Sequence, residues 1–340
     1  MTKPAAKLAD VARLAGVSTA TVSRALSQPQ LVCVSTRQRV EAAARRLHYV
    51  PHGTARALRS RRTHTVGAVI PALGNALYAK ATHVLQKALE ADGYTLLLAC
   101  HEFDLKTELK VLRSLIERGV DALVLVGTEH DPALFDLLGS LGIPYVLTWA
   151  LDRSGRHSCV GFDNRLAAKR VADYLVDIGH RDIAMVSGVT AGNDRARERL
   201  AGARDALEAR GVALPSQRVL ERPYTIAAGR EATQTLLKLV PRPTAVICGN
   251  DVLAMGAVME CHAQSVAVPA AVSVTGFDDM EAASILTPAL TTVRVPMHEI
   301  GYAAARQILI QLKGGTGVPV TELAVDLIVR GTTAPPGRPR

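Results

Sequence analysis

A chain of 340 residues that is 48% hydrophobic and 21% charged has enough apolar side chains for two or three packed domains. No run of about 18 apolar residues occurs, which argues against a membrane-spanning helix, and the start MTKPAAKLADVARLAG has no signal-type apolar stretch, so a cytoplasmic protein is expected. The net charge of +9 is unevenly placed: residues 1–62 hold 12 Lys and Arg against 2 Asp and Glu, while the rest hold 28 against 29, so a polyanionic partner is expected for the first segment alone.

Three helices are predicted in the first 50 residues from apolar stripes at helical spacing. Leu8, Val11, Ala12 and Ala15 make the first. Val22, Ala25 and Leu26 make the second, and Val40, Ala43, Ala44 and Leu47 the third. The break AGVS is short, so the first two helices form a helix-turn-helix, with Gly16 as the break and Ser18 as N-cap. The opposite face of the second helix carries Thr19, Ala20, Ser23, Arg24 and Ser27. It is small and hydroxyl-rich where a solvated face would carry long Glu and Lys. The third helix has two possible starts, an S-x-x-Q capping box at Ser35 and Gln38, or a cap at Cys33. A further short helix is predicted in YVPHGTARALRSRR, with Pro51 in its first turn, Ala55, Ala57 and Leu58 on its apolar side, and Gly53 weakening it. So short a helix needs a partner surface.

From Thr65 onward strands and helices alternate. TVGAVIP, YTLLLAC, DALVLVG and IPYVLTW read as buried strands separated by helices. After VGFDN the alternation restarts with helix 164–179, strand IAMVSG, helix 194–210, a strand near 217–221, helix 226–239, strand TAVICG, helix 251–263 and strand VSVTGF. Near-continuous apolar strands between amphipathic helices predict two doubly wound parallel-sheet subdomains. A small molecule would sit beyond the strand C-termini, in the cleft between the sheets.

The five cysteines are scattered with no metal-ligand spacing and are expected to be reduced thiols, most of them buried. No phosphate loop, dinucleotide fingerprint, nucleophile elbow or metalloprotease motif occurs, so no catalytic residue, metal or cofactor is expected. The pair Asp278–Asp279 reads as a strand-end turn or a ligand contact rather than as acid–base machinery, and His101, His157 and His180 as loop or surface residues.

KLADVARLAGVSTATVSRAL resembles the helix-turn-helix of the lactose-repressor/purine-repressor family of bacterial transcription regulators, and YVPHGTARAL resembles its hinge helix. VGFDNRLAA, ARERLAGARDAL, CGNDVLAMGAV and VTGFDDMEAA resemble successive signatures of its periplasmic-binding-protein-like core. The resemblance implies a DNA-binding module over 1–50, a hinge over 51–62, an N-terminal core subdomain over 63–162 and 293–321, a C-terminal one over 163–292 and 322–332, and a disordered tail over 333–340. It implies a homodimer that binds pseudo-palindromic double-stranded operator DNA, in the bacterial cytoplasm and on the nucleoid when operator-bound. Repression would be controlled by a small effector, a sugar, sugar acid or related metabolite. The second helix would then enter the major groove, with Thr19, Ala20 and Arg24 reading bases and Ser18, Thr21, Ser23 and Ser27 meeting phosphates. Leu58 would wedge into the minor groove. Leu77, Tyr78, Trp149, Arg199, Tyr224, Asn250 and Asp278 would line the effector site. Two departures from the family pattern stand out: His52-Gly53 follows Pro51 where Asn is usual, and Cys33 replaces a frequent phosphate-contacting serine. The rival readings are a sugar-processing enzyme fused to a DNA-binding module, which would need a phosphate loop or catalytic base, and a cytoplasmic solute-binding protein, which would not need the basic helical segment.

Overall fold

A computed structural model describes residues 6–50, 62–74, 76–316 and 320–337. The chain divides into two compact units, Met1–His64 and Thr65–Arg340.

The first unit holds α1 (Leu8–Ala15), α2 (Thr19–Ser27) and α3 (Val34–Arg46). Gly16 ends α1 at φ 64°, the left-handed conformation that glycine adopts without a Cβ penalty. Two residues later Ser18 caps α2, its Oγ accepting from the Thr21 N–H at 3.1 Å. The stripes meet in one small core of Val11, Ala12, Ala15, Val22, Ala25, Val40, Ala43 and Ala44. So many alanines let three short helices approach closely. Of the two possible starts of α3, the backbone uses Cys33. Residues 51–61, which carry the expected hinge helix and Leu58, lie outside the described residues.

The second unit contains two parallel sheets. The larger runs β11-β5-β4-β3-β1-β2, from β1 (Thr65–Ile70), β2 (Thr95–Cys100), β3 (Ala122–Val126), β4 (Tyr145–Thr148), β5 (Cys159–Gly161) and β11 (Val320–Glu322). The smaller runs β7-β6-β8-β9, from β6 (Ile183–Gly188), β7 (Val219–Arg222), β8 (Ala245–Cys248) and β9 (Ser273–Thr275). Helices α4 (Ala76–Ala91), α5 (Leu105–Glu117) and α6 (Pro132–Leu141) follow β1 to β3. Helices α7 (Asn164–Asp177), α8 (Asp194–Ala209), α9 (Ile226–Leu236) and α10 (Asp251–Ala263) accompany the smaller sheet, and the short α11 (Glu281–Ile285) follows it. Most of these helices start on a short polar cap just past a strand end: Asp104, Asp131, Asp163, Asn193, Thr225 and Asn250 each accept a backbone N–H of their own first turn. The caps belonging to the two sheets thereby collect polar groups at strand C-termini.

The chain crosses between the sheets three times. It leaves the larger sheet after β5 and returns through β10 (Thr292–Arg294) into α12 (Met297–Leu312). Ala304, Ala305, Ile308, Leu309 and Leu312 of α12 pack with Val66, Ala68, Leu85 and Leu89. After β11 it crosses again through β12 (Asp326–Ile328), which pairs antiparallel with β10. The chain end departs from the sequence expectation of disorder from residue 333. Thr333 hydrogen bonds Tyr174 and Thr291, and Ala334 exchanges hydrogen bonds with Ser273, so this part of the tail is tied to the smaller sheet. His180 lies in the loop before β6, one of the two places expected for it. It is buried, with Nδ1 on Thr244 and Nε2 on Ser273 and the Ala334 carbonyl. A polar network at the sheet end buries this loop histidine.

Candidate functional site

On the first unit Val22 and Ala25 are buried while Thr19, Ala20 and Arg24 are exposed on the other side of α2. Arg24 is thus a guanidinium on a face of small residues, with nothing bulky around it to hold a surface at a distance. The hydroxyls near it already serve the helix. Ser18 and Thr21 share a hydrogen bond at 2.9 Å, and Ser27 donates to the Ser23 carbonyl at 2.7 Å. On α3, Arg39, Arg45 and Arg46 are exposed, and Arg37 pairs with Glu41 at 3.7 Å.

In the second unit Leu77, Tyr78, Trp149, Arg199, Tyr224, Asn250 and Asp278 line a single cavity between the two sheets. All seven positions named from the sequence converge there. Asn193 and Arg195, which sequence reasoning missed, complete the lining. The remaining space is about 20 Å³, room for about one water, so the cleft is closed.

Arg199 is held on three sides. Its Nε donates to Asn164 Oδ1 and its Nη1 to the Gly249 carbonyl, each at 2.8 Å, and its guanidinium lies 3.6 Å from the centre of the Phe277 ring. Asn164 also donates from Nδ2 to the Trp149 carbonyl at 2.8 Å, linking Arg199 to the opposite wall. Trp149 needs such a restraint, because a bulky residue at φ 70° is strained. Its ring meets Tyr78 edge-on at 5.3 Å. Tyr224 has its place because residue 188 is glycine; a Cβ there would lie 2.2 Å from the phenol ring.

Asp278 is the polar focus. It is 1% exposed, adopts φ 119°, and neither carboxyl oxygen has a hydrogen-bond partner. Its nearest cation is Arg199 Nη1 at 3.7 Å. Burial pushes its pKa well above the carboxylate range, against the attraction of Arg199. Asp279, its neighbour, is committed elsewhere, to Arg294 and Arg330, each at 2.7 Å. The two acids thus separate into a cavity group and a strut between crossover strands.

The closed cleft is latched beside the cavity. Asp194 Oδ2 accepts from the Thr128 N–H and Oγ1–H at 2.7 and 2.8 Å, and Arg197 pairs with Glu129 at 2.8 Å. Both links join the start of α8 to the loop after β3. His101 lies in the loop after β2, a loop position as expected, but it is buried and neither ring nitrogen has a hydrogen bond. Glu108 lies 3.9 Å from it and accepts from or pairs with His130 at 2.9 Å. His157 is half-buried, stacked on Phe135 at 4.2 Å.

The family model for bacterial regulatory proteins of the lacI family matches residues 7–52, and that for the periplasmic binding protein-like domain matches 172–333. The chain is 32% identical to the ribose operon repressor of Escherichia coli (strain K12) over 331 residues, 97% of this chain and 94% of that repressor. It is 33% identical to the transcriptional repressor PurR of Erwinia tasmaniensis over 307 residues, 89% of each. Among solved structures, the lac repressor dimer bound to operator and the anti-inducer ONPF matches with a TM-score of 0.85 at 26% identity, covering 98% of this chain and 100% of that one.

Proposed function

The chain belongs to the lacI family of bacterial regulatory proteins, and on that premise we propose how its parts divide the work. It is a DNA-binding transcription repressor, not an enzyme, and a small effector bound in the core regulates it. It acts as a dimer on operator DNA, in the cytoplasm and on the nucleoid when operator-bound. Residues 1–50 read DNA and 51–62 form the hinge, with Leu58 in the minor groove. The stretches 63–162 with 293–321, and 163–292 with 322–332, are the two halves of the effector clamp.

On α2, Thr19, Ala20 and Arg24 read bases. Arg24 suits a bidentate contact to guanine, and the small residues beside it allow close approach. Ser18, Thr21, Ser23 and Ser27 face phosphates as far as their helix-capping bonds permit. In the clamp the effector is a sugar, sugar acid or related metabolite. Trp149, Tyr78 and Tyr224 supply flat walls, Arg199 and Asn250 supply donors, and Asp278 accepts hydrogen bonds from the effector's hydroxyls. The observation that carries this reading is the convergence of those seven residues on one closed cavity between two parallel sheets.

The test starts with selection of bound duplexes from a random pool by the full-length dimer. A pseudo-palindromic site should emerge. Compounds that raise the melting temperature of the core are then added to the complex, since a ligand of the folded state stabilises it. Enrichment of no site, or a site whose occupancy no stabilising compound alters, would overturn the proposal.

A further inference from the structure

The wall of the cavity has one weak place. Eight of the nine residues that line it are buried, and Tyr224 is the exception, half-buried. Elsewhere the wall is tied together: Arg199 by Asn164, Gly249 and Phe277, and Trp149 by Asn164 and the Tyr78 ring. Tyr224 backs onto Gly188. What meets it from the half of the larger sheet is Phe103, whose ring lies 6.0 Å from the Tyr224 ring at an angle of 56°. The rim on the Tyr224 side is fixed, since the Thr190 N–H donates to Glu221 at 2.8 Å. The Phe103 side is built differently.

Phe103 belongs to the turn His101–Asp104, which joins β2 to α5. The two ends of the turn are anchored. The His101 and Glu102 N–H groups donate to the Ile70 and Pro71 carbonyls at 3.2 and 2.8 Å. The Asp104 carboxylate caps α5, accepting from the Lys106 and Thr107 N–H groups at 3.1 and 3.2 Å. The middle is strained. Glu102 and Phe103 are consecutive left-handed residues, at φ 50° and 61°, a conformation that costs any residue with a Cβ. A tip held in that conformation depends on what it touches. It touches the half of the smaller sheet twice, with its ring on Tyr224 and with its carbonyl against Gly192, where a Cβ would lie 3.2 Å from the Phe103 oxygen. Gly192 leads directly into Asn193, the cap of α8 and part of the cavity wall. Neither contact is a hydrogen bond, so the tip lifts at little cost while the ends stay in place.

We propose that the turn His101–Asp104 is a lid over the mouth of the cavity and that Phe103 is its gate, so that the effector passes only when the Phe103 ring leaves Tyr224. This rests on the reading of the cavity as the effector site. The strain at Glu102 and Phe103 favours opening, and the anchored ends bring the tip back to the same seat. A gate acts on the barrier. It slows entry and exit alike and leaves their ratio unchanged, which separates it from a residue that holds the effector.

The test uses the full-length dimer with D-ribose, D-glucose, D-gluconate and D-glucuronate as probes. Whichever of them raises the melting temperature is followed by stopped-flow emission of Trp149, the sole tryptophan, which lies in the cavity wall. Phe103→Ala should raise the association and dissociation rate constants together, each by at least about tenfold, with Kd staying within about threefold of the parent. Phe103→Leu keeps apolar bulk at this half-buried position and should fall between parent and alanine. Glu102→Gly removes one left-handed penalty from the seated turn and should slow both steps by about fivefold. Rates in Phe103→Ala equal to the parent's, or faster dissociation with unchanged association, would overturn the gate while leaving the effector site standing. If no probe raises the melting temperature, sugars and sugar acids are not the occupants of the cavity, and the gate proposed for them falls as well.

Discussion

Arg199 and Asp251 illustrate two fates of a buried charge in this core. Arg199 is surrounded by fixed acceptors and an aromatic face, so its geometry survives without a ligand. Arg199→Gln is expected to bind operator normally and to ignore the effector, in a gel shift with increasing ligand. A variant that responds like the parent would take Arg199 out of the site. Asp251 is fully buried at the start of α10, where it accepts from Thr292 Oγ1 at 2.5 Å and the Met280 N–H at 2.7 Å. Burial outweighs those bonds and raises its pKa from 3.8 to about 7. Between those values the folded chain holds a proton that the unfolded chain releases. The stability this group contributes is therefore present at low pH and declines as pH rises from about 4 to about 7, by on the order of a few kcal/mol. Urea midpoints of the core at pH 5 and pH 7.5 should show the parent losing stability relative to Asp251→Asn as pH rises. A difference that does not move with pH, or moves the other way, would mean the carboxyl is ionised throughout.

The elements that matter for switching are the start of α8 and the loop after β3. Thr128 offers two donors to the buried carboxylate of Asp194. Thr128→Val keeps the backbone donor and the shape but removes the hydroxyl, which should cost the closed cleft about 1–3 kcal/mol. Effector affinity is expected to fall by roughly 5- to 150-fold, with operator binding in the absence of effector unchanged. Calorimetry and gel shift on the same preparation read both, and equal affinities in parent and variant would mean that the latch is not closed in the bound form. On α2, Arg24→Ala should cost about 1–3 kcal/mol on the selected site and relax the choice at one position per half-site. Equal losses on selected and random DNA would make Arg24 a phosphate contact. The α2 face was legible because helical period alone separates Val22 and Ala25 from Thr19, Ala20 and Arg24. The cavity residues were legible through motifs at strand ends, where caps and turns carry their own signals. Arg195 was not, because in DRARER it is one charge among several, and only the packing of α8 shows which of them faces inward. Asn164 was visible as the last residue of VGFDN, but its bridge from Arg199 to Trp149 joins segments 35 and 15 residues away. The helix Met297–Leu312 had its period in Ile300, Ala304, Ala305, Ile308 and Leu312, yet periodicity does not say that the chain returns to the first sheet.

At the scale of the whole molecule, charge and the ligand cavity lie in different units. The first unit carries the basic excess, and the second is close to neutral and contains the cavity with all the residues that line it. A chain beginning at Thr63 keeps every element of the second unit, since the first strand starts at Thr65. It should therefore fold, and its effector response should match that of the full chain. Trp149 makes this measurable, because it is the sole tryptophan and lies in the cavity wall. Its emission should change as effector enters and leaves, with a midpoint within about twofold of the full-length protein, a difference of less than about 0.5 kcal/mol. Operator binding should behave in the opposite way. Each phosphate neutralised by a Lys or Arg adds about 0.9 to the slope of log affinity against log salt. The full chain should lose on the order of 10³-fold or more between about 50 and 200 mM salt, and the shortened chain should show no operator binding to lose. A shortened chain that binds the selected site with comparable affinity and salt slope would show that the DNA contacts come from the second unit. Failure of the tryptophan signal to move at saturating effector in both chains would place Trp149 in packing alone, and the effector contacts would then have to come from the polar residues around Arg199 and Asp278.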